Sequence, residues 1–115
     1  MQGLPDCERA FVDEPKLAYL LRPEDKGGVF LGLGFSLAEP AVLRAALLEH
    51  ACTARPQKSV RTRFGLKYVL AGGMRSPDGR EPPMASVWIV EEVEGRQGRP
   101  RFVTAYPSGG EEERS

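Results

Sequence analysis

The chain has 115 residues, of which 41% are hydrophobic and 28% charged, and its sixteen basic side chains are balanced by sixteen acidic ones. A chain of this length and composition forms one domain with a single core, and its zero net charge argues against a protein that coats nucleic acid. The charge is nevertheless unevenly distributed, because seven basic residues and one acidic residue lie between Arg55 and Arg80. This concentration fits a focused site for an anion.

The cysteine content and the terminal sequence bear on the cellular compartment. Cys7 and Cys52 are too few for a disulfide framework, and no CxxC pair is present. The N-terminus lacks the basic and apolar regions of a secretory signal, and no apolar run approaches the roughly 18 residues that cross a bilayer. We therefore expect a cytoplasmic protein with reduced thiols and no membrane association, an expectation that fails if the chain is the effector module of a larger secreted toxin.

The N-terminal part of the chain predicts little regular structure. Residues 1–13 show no pattern, and a short helix is predicted over 14–22, where Pro15 suits the first turn and three leucines share a face. The following segment, 23–36, contains four glycines. Because each glycine costs a helix about 1 kcal/mol, this segment is predicted as a loop that leads into a short buried element.

The clearest helix is predicted over residues 37–53. Ser36 and Glu39 have the spacing of a capping box, and apolar residues then recur with the helical period. His50 lies on the resulting apolar stripe. A histidine in that position is more often packed in a core or at its boundary than used as a catalytic base.

The second half of the chain changes to the two-residue period of strands. Four strands separated by turn sequences are predicted, at about 58–64, 66–72, 84–93 and 101–107. Helices followed by consecutive strands indicate an α+β fold, in which N-terminal helices pack on one face of a four-stranded antiparallel β-meander. The domain should span residues 14–107, and residues 108–115 should form a disordered acidic tail.

Metal and phosphate-loop chemistry find little support. One histidine and two distant cysteines match no zinc-ligand spacing, the acidic residues lack the spacing of a calcium loop, and we expect neither metal nor cofactor. The glycines of "KGGVFLGLG" complete neither the P-loop nor the dinucleotide-binding pattern. Lys26, the basic residue before two of these glycines, is kept as a candidate for binding an anion.

The basic strands carry the stronger signal for function. Arg61 and Arg63 alternate onto one face of the first strand, and Thr104 and Tyr106 share a face of the last. We expect these four side chains on one open sheet face, although strand register decides which neighbours join them. The alternative is a solvated surface, on which arginine provides solubility and threonine and tyrosine reflect β-propensity.

Several short stretches occur in the order found in a known family. They are "KLAYLLRPEDKGG", "FLGLGFS", "RFGLKYVLAG", "SPDGR", "SVWIVEE" and "PRFVTAYP". Over residues 14–107 the chain resembles a bacterial domain family that is encoded near small partner genes and whose members end in a similar "TAYP" strand. That family is similar to the barnase–EndoU–colicin–RelE group of toxin nucleases.

The resemblance implies a metal-independent endoribonuclease toxin that a cognate antitoxin or immunity protein neutralises. Such enzymes use the RNA 2′-hydroxyl as an internal nucleophile and leave a 2′,3′-cyclic phosphate. The reaction needs a base, cations for the phosphorane charge and an acid for the leaving 5′-oxygen. Members of the group achieve it with Lys, Arg, Tyr, Thr or Ser, without an obligatory histidine.

The resemblance also assigns roles to individual positions. Tyr106 would stack on a base or transfer a proton, and Thr104 would donate a hydrogen bond to the scissile phosphate. Arg61 and Arg63 would bind the phosphate through their guanidinium groups, and Lys26 would act as a cation or as the base. Three further residues are expected to contact RNA: Lys58, Lys67 and Trp88.

Other functions stay open at this point. Trp88 is more often a packing residue than a stacking platform. The basic sheet face could instead serve a non-catalytic interaction module, or an antitoxin-type protein, that binds an acidic partner. A DNA-binding accessory protein fits less well, because no predicted helix carries the polar pattern of a groove reader.

Overall fold

The computed structural model describes residues 3–22 and 27–108. The helical elements come first: a 3₁₀ turn, α1, α2 and α3, at Cys7–Arg9, Glu14–Leu21, Gly27–Gly32 and Pro40–Thr53. The strands β1 to β5 follow, at Arg55–Thr62, Gly65–Gly73, Pro83–Val93, Arg96–Gln97 and Arg101–Pro107. Helices followed by strands confirm the predicted α+β class.

The strands pair in the predicted antiparallel manner. The main sheet has the order β1-β2-β3-β5, and the two-residue β4 pairs only with the end of β3. The four long strands therefore form the predicted meander, to which β4 adds a small hairpin. Since β1 and β5 lie at the two edges, the first and last strands are separated by the full width of the sheet.

The helices cover one face of this sheet and form the core with it. From β3 and β5, Trp88 and Phe102 reach into this layer and make an edge-to-face contact with ring centroids 5.3 Å apart. From α3, Leu43 and Leu47 are fully buried in the same cluster. Burial of each such side chain contributes about 1.5–3 kcal/mol, so this layer is the main source of stability.

The glycine-rich segment contains a helix, so the predicted loop is wrong there. Two of the six residues of α2 are glycines at its start and one is a glycine at its end. The cost of glycine applies mainly to helix interiors, and the interior of α2 is apolar. Phe30 is buried and contacts Phe35 edge to face. The burial of this ring outweighs the weak local propensity of the segment.

The main helix begins later than predicted. Its first residue is Pro40, and Glu39 precedes it without a side-chain capping hydrogen bond, so the predicted capping box does not form. Proline is favoured at a first helical position because its missing N–H has no intrahelical acceptor there. The apolar stripe is present as predicted, and His50 lies on it with 1% of its surface exposed.

The N-terminal segment is part of the domain and is tied to α3. Cys7 and Cys52 form a disulfide with their Cα atoms 5.3 Å apart, which corrects the expectation of reduced thiols. Leu4 and Val12 are buried, and Phe11 forms a parallel bridge with Arg101 at the start of β5. The segment is thus held by a covalent bond, by core packing and by backbone hydrogen bonds.

The end of the domain lies against the sheet as well. Ser108 is buried, and its backbone N–H donates to the carbonyl oxygen of Pro83 at 3.2 Å. The remainder of the predicted acidic tail, like Lys26, lies outside the described residues. Across residues 3–22 and 27–108, none of the helices combines the length and the apolar character needed to cross a membrane.

Candidate functional site

The face of the main sheet opposite the helices, called the open face below, carries three rows of side chains in register across all four long strands. The first row is Arg55, Ala71, Ala85 and Tyr106. The second row is Lys58, Val69, Val87 and Thr104. The third row is Val60, Lys67, Ile89 and Arg101. Each row runs from one edge of the sheet to the other, and its two middle residues are small or apolar except for Lys67 in the third row.

Two register irregularities produce this arrangement. One lies between Pro56 and Lys58 in β1, and the other lies where β5 passes Val87 and Trp88 of β3. An extra residue in one strand reverses the alternation of side chains beyond it. As a result Arg55 and Lys58 face the same side, and so do Arg101 and Thr104.

A cavity lies on the open face between Lys58 and Tyr106. Its volume is about 210 Å³, and its remaining lining residues are Gln57, Val69, Ala71, Ala85 and Ser108. Neighbouring strands lie about 4.8 Å apart, so two alanines side by side leave a shallow floor between taller side chains at the edges. We call this feature the Lys58–Tyr106 cavity. Its apolar floor and polar walls suit a planar ring that carries hydrogen-bonding groups.

The open face is predominantly basic. Arg55, Lys58, Lys67 and Arg101 lie on it, and Glu91 extends the same alternation in β3. Arg101 pairs with Glu91 at 3.3 Å. Within the described part of the chain, neither Lys58 nor Lys67 belongs to an ion pair, so their charges are available to an anion from outside.

Four of the residues predicted to act on RNA are brought together here. Thr104 and Tyr106 share the open face as predicted, and Lys58 and Lys67 lie on it with them. Lys58 is placed directly at the wall of the cavity that Tyr106 also lines. A hydroxyl, a phenol and two ammonium groups from three strands thus lie on one face of the sheet.

Arg61 is not part of this group. It pairs with Leu66 in the register of β1 and β2, which places it on the helix-covered side, and its Nη1 donates to Oε1 of Glu92 at 3.3 Å. The expectation of one face with Arg61, Thr104 and Tyr106 is therefore corrected. Both faces of β1 are solvent-exposed near this end, so the alternation of apolar and basic residues there did not indicate which face the helices cover.

Arg63 lies in the turn between β1 and β2. Thr62 Oγ1 accepts from the Phe64 N–H at 3.1 Å and donates to the Gly65 carbonyl at 2.9 Å, which closes a tight turn. Gly65 has a φ of 143°, and a Cβ there would clash with the carbonyl oxygen of Val90. The strand therefore ends at Thr62, and Arg63 projects with its guanidinium 5.1 Å from the centre of the Phe64 ring.

Trp88 lies in the core on the helix-covered side and has no exposed surface. Its indole Nε1 donates to Ser86 Oγ at 2.9 Å, and its ring packs against Phe102. The packing role that the sequence favoured for this residue is the arrangement observed. The ring is therefore not available on the open face for stacking against a base.

His50 completes a buried polar network with Ser86 and Trp88. Its Nε2 lies 3.1 Å from the Gly72 carbonyl oxygen and 3.2 Å from that of Met84, so Nε2 carries the proton. Its Nδ1 then accepts from the Ser86 hydroxyl at 2.7 Å, and Ser86 Oγ in turn accepts from Trp88. Burial lowers the pKa of His50. The histidine is a neutral structural group on the covered side of the sheet, as the sequence suggested.

Sequence reasoning missed several parts of the site. The alanine floor carries no chemical signal in a sequence, because alanine is common in strands and helices alike, and only cross-strand register aligns Ala71 with Ala85. It also missed a second cavity, of about 740 Å³, between α1 and β5, which we call the α1–β5 groove. Its lining includes Lys16, Tyr19 and Thr104, so the groove meets the open face at Thr104.

Among residues 3–22 and 27–108, no three His, Cys, Asp or Glu side chains come together in a group that could hold a metal ion. The open face offers the ammonium groups of lysine and the hydroxyl groups of threonine and tyrosine. Ammonium groups stabilise phosphoryl charge, and hydroxyl groups donate hydrogen bonds or protons.

The fold and the site together define a class: a small α+β domain with helices on one sheet face and a basic, tyrosine-bearing open face on the other. The chain belongs to the family described as Domain of unknown function (DUF6883), whose model matches residues 3–109. A comparison with curated proteins finds no match.

A solved structure shares the fold. It is a chain of the contact-dependent growth inhibition toxin–immunity protein complex from Klebsiella pneumoniae 342, with a TM-score of 0.65 and 20% sequence identity. The alignment covers 85% of this chain and 99% of that chain. The two chains are thus alike over a whole domain, and at this identity the likeness concerns the fold.

Proposed function

We propose that this chain is a toxin-type endoribonuclease of the barnase–EndoU–colicin–RelE group, acting on its open sheet face without a metal ion and neutralised by a cognate immunity protein or antitoxin. The observation that supports it most is that Lys58 and Tyr106 line one cavity of the open face, with Thr104 on the same face two residues from Tyr106. The fold that the chain shares with a component of a toxin–immunity complex supports the same role.

The site offers groups for the steps of RNA cleavage by an internal nucleophile. The 2′-oxygen attacks phosphorus and forms a P–O bond, and the bond from phosphorus to the 5′-oxygen breaks. One product ends in a 2′,3′-cyclic phosphate and the other in a 5′-hydroxyl. One proton must leave the 2′-hydroxyl and one must reach the 5′-oxygen, so the reaction is balanced without a redox partner or cofactor.

Each group on the open face has a suitable role. Tyr106 carries a phenolic hydroxyl group and is assigned as the acid for the leaving 5′-oxygen. Lys58 and Lys67 provide positive charge for the phosphorane, and the Thr104 hydroxyl donates to a non-bridging oxygen. Lys26, whose position lies outside the described residues, is kept as the base, a role that requires a lowered lysine pKa.

The test is incubation of the purified protein with total RNA in EDTA. We expect cleavage, with new 3′ ends that carry a cyclic phosphate, and growth inhibition when the protein is expressed without its partner. The variant Tyr106→Phe should lose both properties and keep the wild-type melting temperature. Absence of cleavage at high protein concentration, together with tight binding to an acidic protein, would favour a non-catalytic interaction module instead.

A further inference from the structure

The α1–β5 groove adjoins the candidate site but has no role in the function proposed so far. Its volume is about 740 Å³, and its lining residues are Asp13, Pro15, Lys16, Tyr19, Val103 and Thr104. Thr104 belongs to the second row of the open face and to the wall of this groove at once. A ligand bound along the open face could therefore continue into the groove without leaving the protein surface.

The walls of the groove combine an aromatic ring, apolar surface and a cation. Tyr19 is 42% exposed, so part of its ring is open to a ligand. Lys16 lies one helical turn before it on the same side of α1, since residues three apart are neighbours on a helix. Pro15 and Val103 add apolar surface. This set resembles the Lys58–Tyr106 cavity, where a lysine and a tyrosine also stand beside apolar residues.

The groove is also firmly positioned. Leu17, Leu20 and Leu21 of α1 are buried in the core, which holds the helix against the domain. The α1 side chains that line the groove therefore project from a fixed element. Such preorganisation lowers the entropic cost of binding, because fewer groups must be ordered by the ligand.

We propose that the α1–β5 groove is a second nucleotide subsite, which takes the base on one side of the cleaved bond while the Lys58–Tyr106 cavity takes the base on the other. This inference rests on the proposed function. The scissile phosphate would lie near Thr104, which lines the groove and is two residues from Tyr106 at the wall of the cavity. The Tyr19 ring would stack on the base, Lys16 would face the backbone, and the Asp13 carboxylate would accept hydrogen bonds from a base amino group.

This arrangement defines the class of substrate as single-stranded RNA with two adjacent unstacked bases. The bases of a duplex are stacked and paired, so they cannot enter two separate cavities without melting, whereas bases in loops and ends can be splayed apart. A protein that stacks a base on an aromatic side chain typically loses about 1–3 kcal/mol of binding when that side chain is replaced by alanine.

The experiment combines a protein change with a substrate change. Cleavage of a short single-stranded RNA is compared between the wild type and Tyr19→Ala. The same comparison is made with two further RNAs, each lacking the base on one side of the cleaved bond. Phe64→Ala is the control, because Phe64 is also an exposed aromatic residue, 56% exposed, and lies in a turn away from both sites.

We expect Tyr19→Ala to reduce kcat/KM for the intact RNA about tenfold or more. The variant should have little effect on one of the two abasic RNAs, namely the one that lacks the base that stacks on Tyr19. Phe64→Ala should cleave all three like the wild type. Unchanged cleavage of the intact RNA by Tyr19→Ala would overturn the inference, as would an equal loss on all three RNAs. The inference would also be overturned if Tyr19→Ala cleaved RNA normally but escaped neutralisation by the immunity protein, because the groove would then bind that partner.

The proposed function fails in a different way. If the wild type cleaves none of the RNAs, the enzyme assignment is wrong, and binding of the intact RNA is measured by fluorescence anisotropy. Weaker binding by Tyr19→Ala but not by Phe64→Ala would still support the nucleotide subsite. Equal binding by all three proteins, or no binding, would overturn it.

Discussion

Lys58 and Tyr106 line one cavity from opposite edges of the main sheet, across a floor that includes Ala71 and Ala85. Both residues lie in strands whose sequences show only the usual two-residue alternation. Their relationship depends on the small size of the two alanines, because larger side chains in the middle strands would fill the space between the edges. It also depends on the register of β1 and β2, which places Lys58 opposite Val69 on this face.

Removal of the phenolic hydroxyl should abolish most of the activity. We expect Tyr106→Phe to lower kcat/KM for RNA cleavage about 10²-fold or more, the usual contribution of a positioned general acid, with the cyclic-phosphate product measured by gel or mass spectrometry. Arg61→Ala is the control, because Arg61 lies on the helix-covered side of the sheet and pairs with Glu92. Wild-type activity in Tyr106→Phe, or equal losses in both variants, would contradict this site.

Filling the cavity should block the substrate without removing a chemical group. Ala85→Leu adds a branched side chain to the cavity floor, and we expect RNA affinity to fall about tenfold or more, since a displaced base loses about 1–3 kcal/mol of stacking. Val60→Leu is the matched control, because it enlarges a residue of the same face that does not line the cavity. The readouts are anisotropy and the melting temperature. If Ala85→Leu binds RNA as tightly as the wild type, the substrate binds elsewhere on the protein.

The disulfide should contribute strongly to stability. Cys7 and Cys52 are 45 residues apart, and in the chain-entropy account a loop of that length restricts the unfolded state by about 3–4 kcal/mol. The urea midpoint of wild-type unfolding should therefore shift to a lower concentration when dithiothreitol is added. The double variant Cys7→Ser, Cys52→Ser should have the lower midpoint without reductant, and dithiothreitol should not change it. A shift of similar size in that double variant would rule out the disulfide as its cause.

The buried histidine predicts a direction of pH dependence. Burial lowers the pKa of His50 from the value of 6.5, so below pH 6.5 the unfolded chain takes up a proton that the folded chain resists. The stability linked to His50 is complete above this pH and declines as the pH falls toward the lowered folded value, with a slope of up to about 1.36 kcal/mol per pH unit. Urea unfolding between pH 5 and 7.5 measures it. His50→Gln should flatten this slope, and parallel curves for the two proteins would refute the linkage.

Local sequence patterns were most informative where one face of an element is buried. The stripe of Leu43 and Leu47 in α3 correctly predicted the helix, because packing repeats with the period of the element. In β3 the two-residue alternation predicted the strand although both Val87 and Trp88 are buried. The pattern failed for Arg61, since both faces of β1 are exposed near that residue. It also failed for α2, where the burial of Phe30 offset the weak helix propensity of glycine.

The sequence by itself determined the α+β class, the antiparallel order of the long strands, the packed position of His50 and the shared face of Thr104 and Tyr106. These follow from periodicity and from residues close together in the chain. Only the tertiary structure decided that Lys58 joins Tyr106 at one cavity, that Cys7 meets Cys52, and that α1 borders Thr104. The physical reason is that these relationships join distant segments, and a single extra residue in a strand reverses which side of the sheet its side chains face.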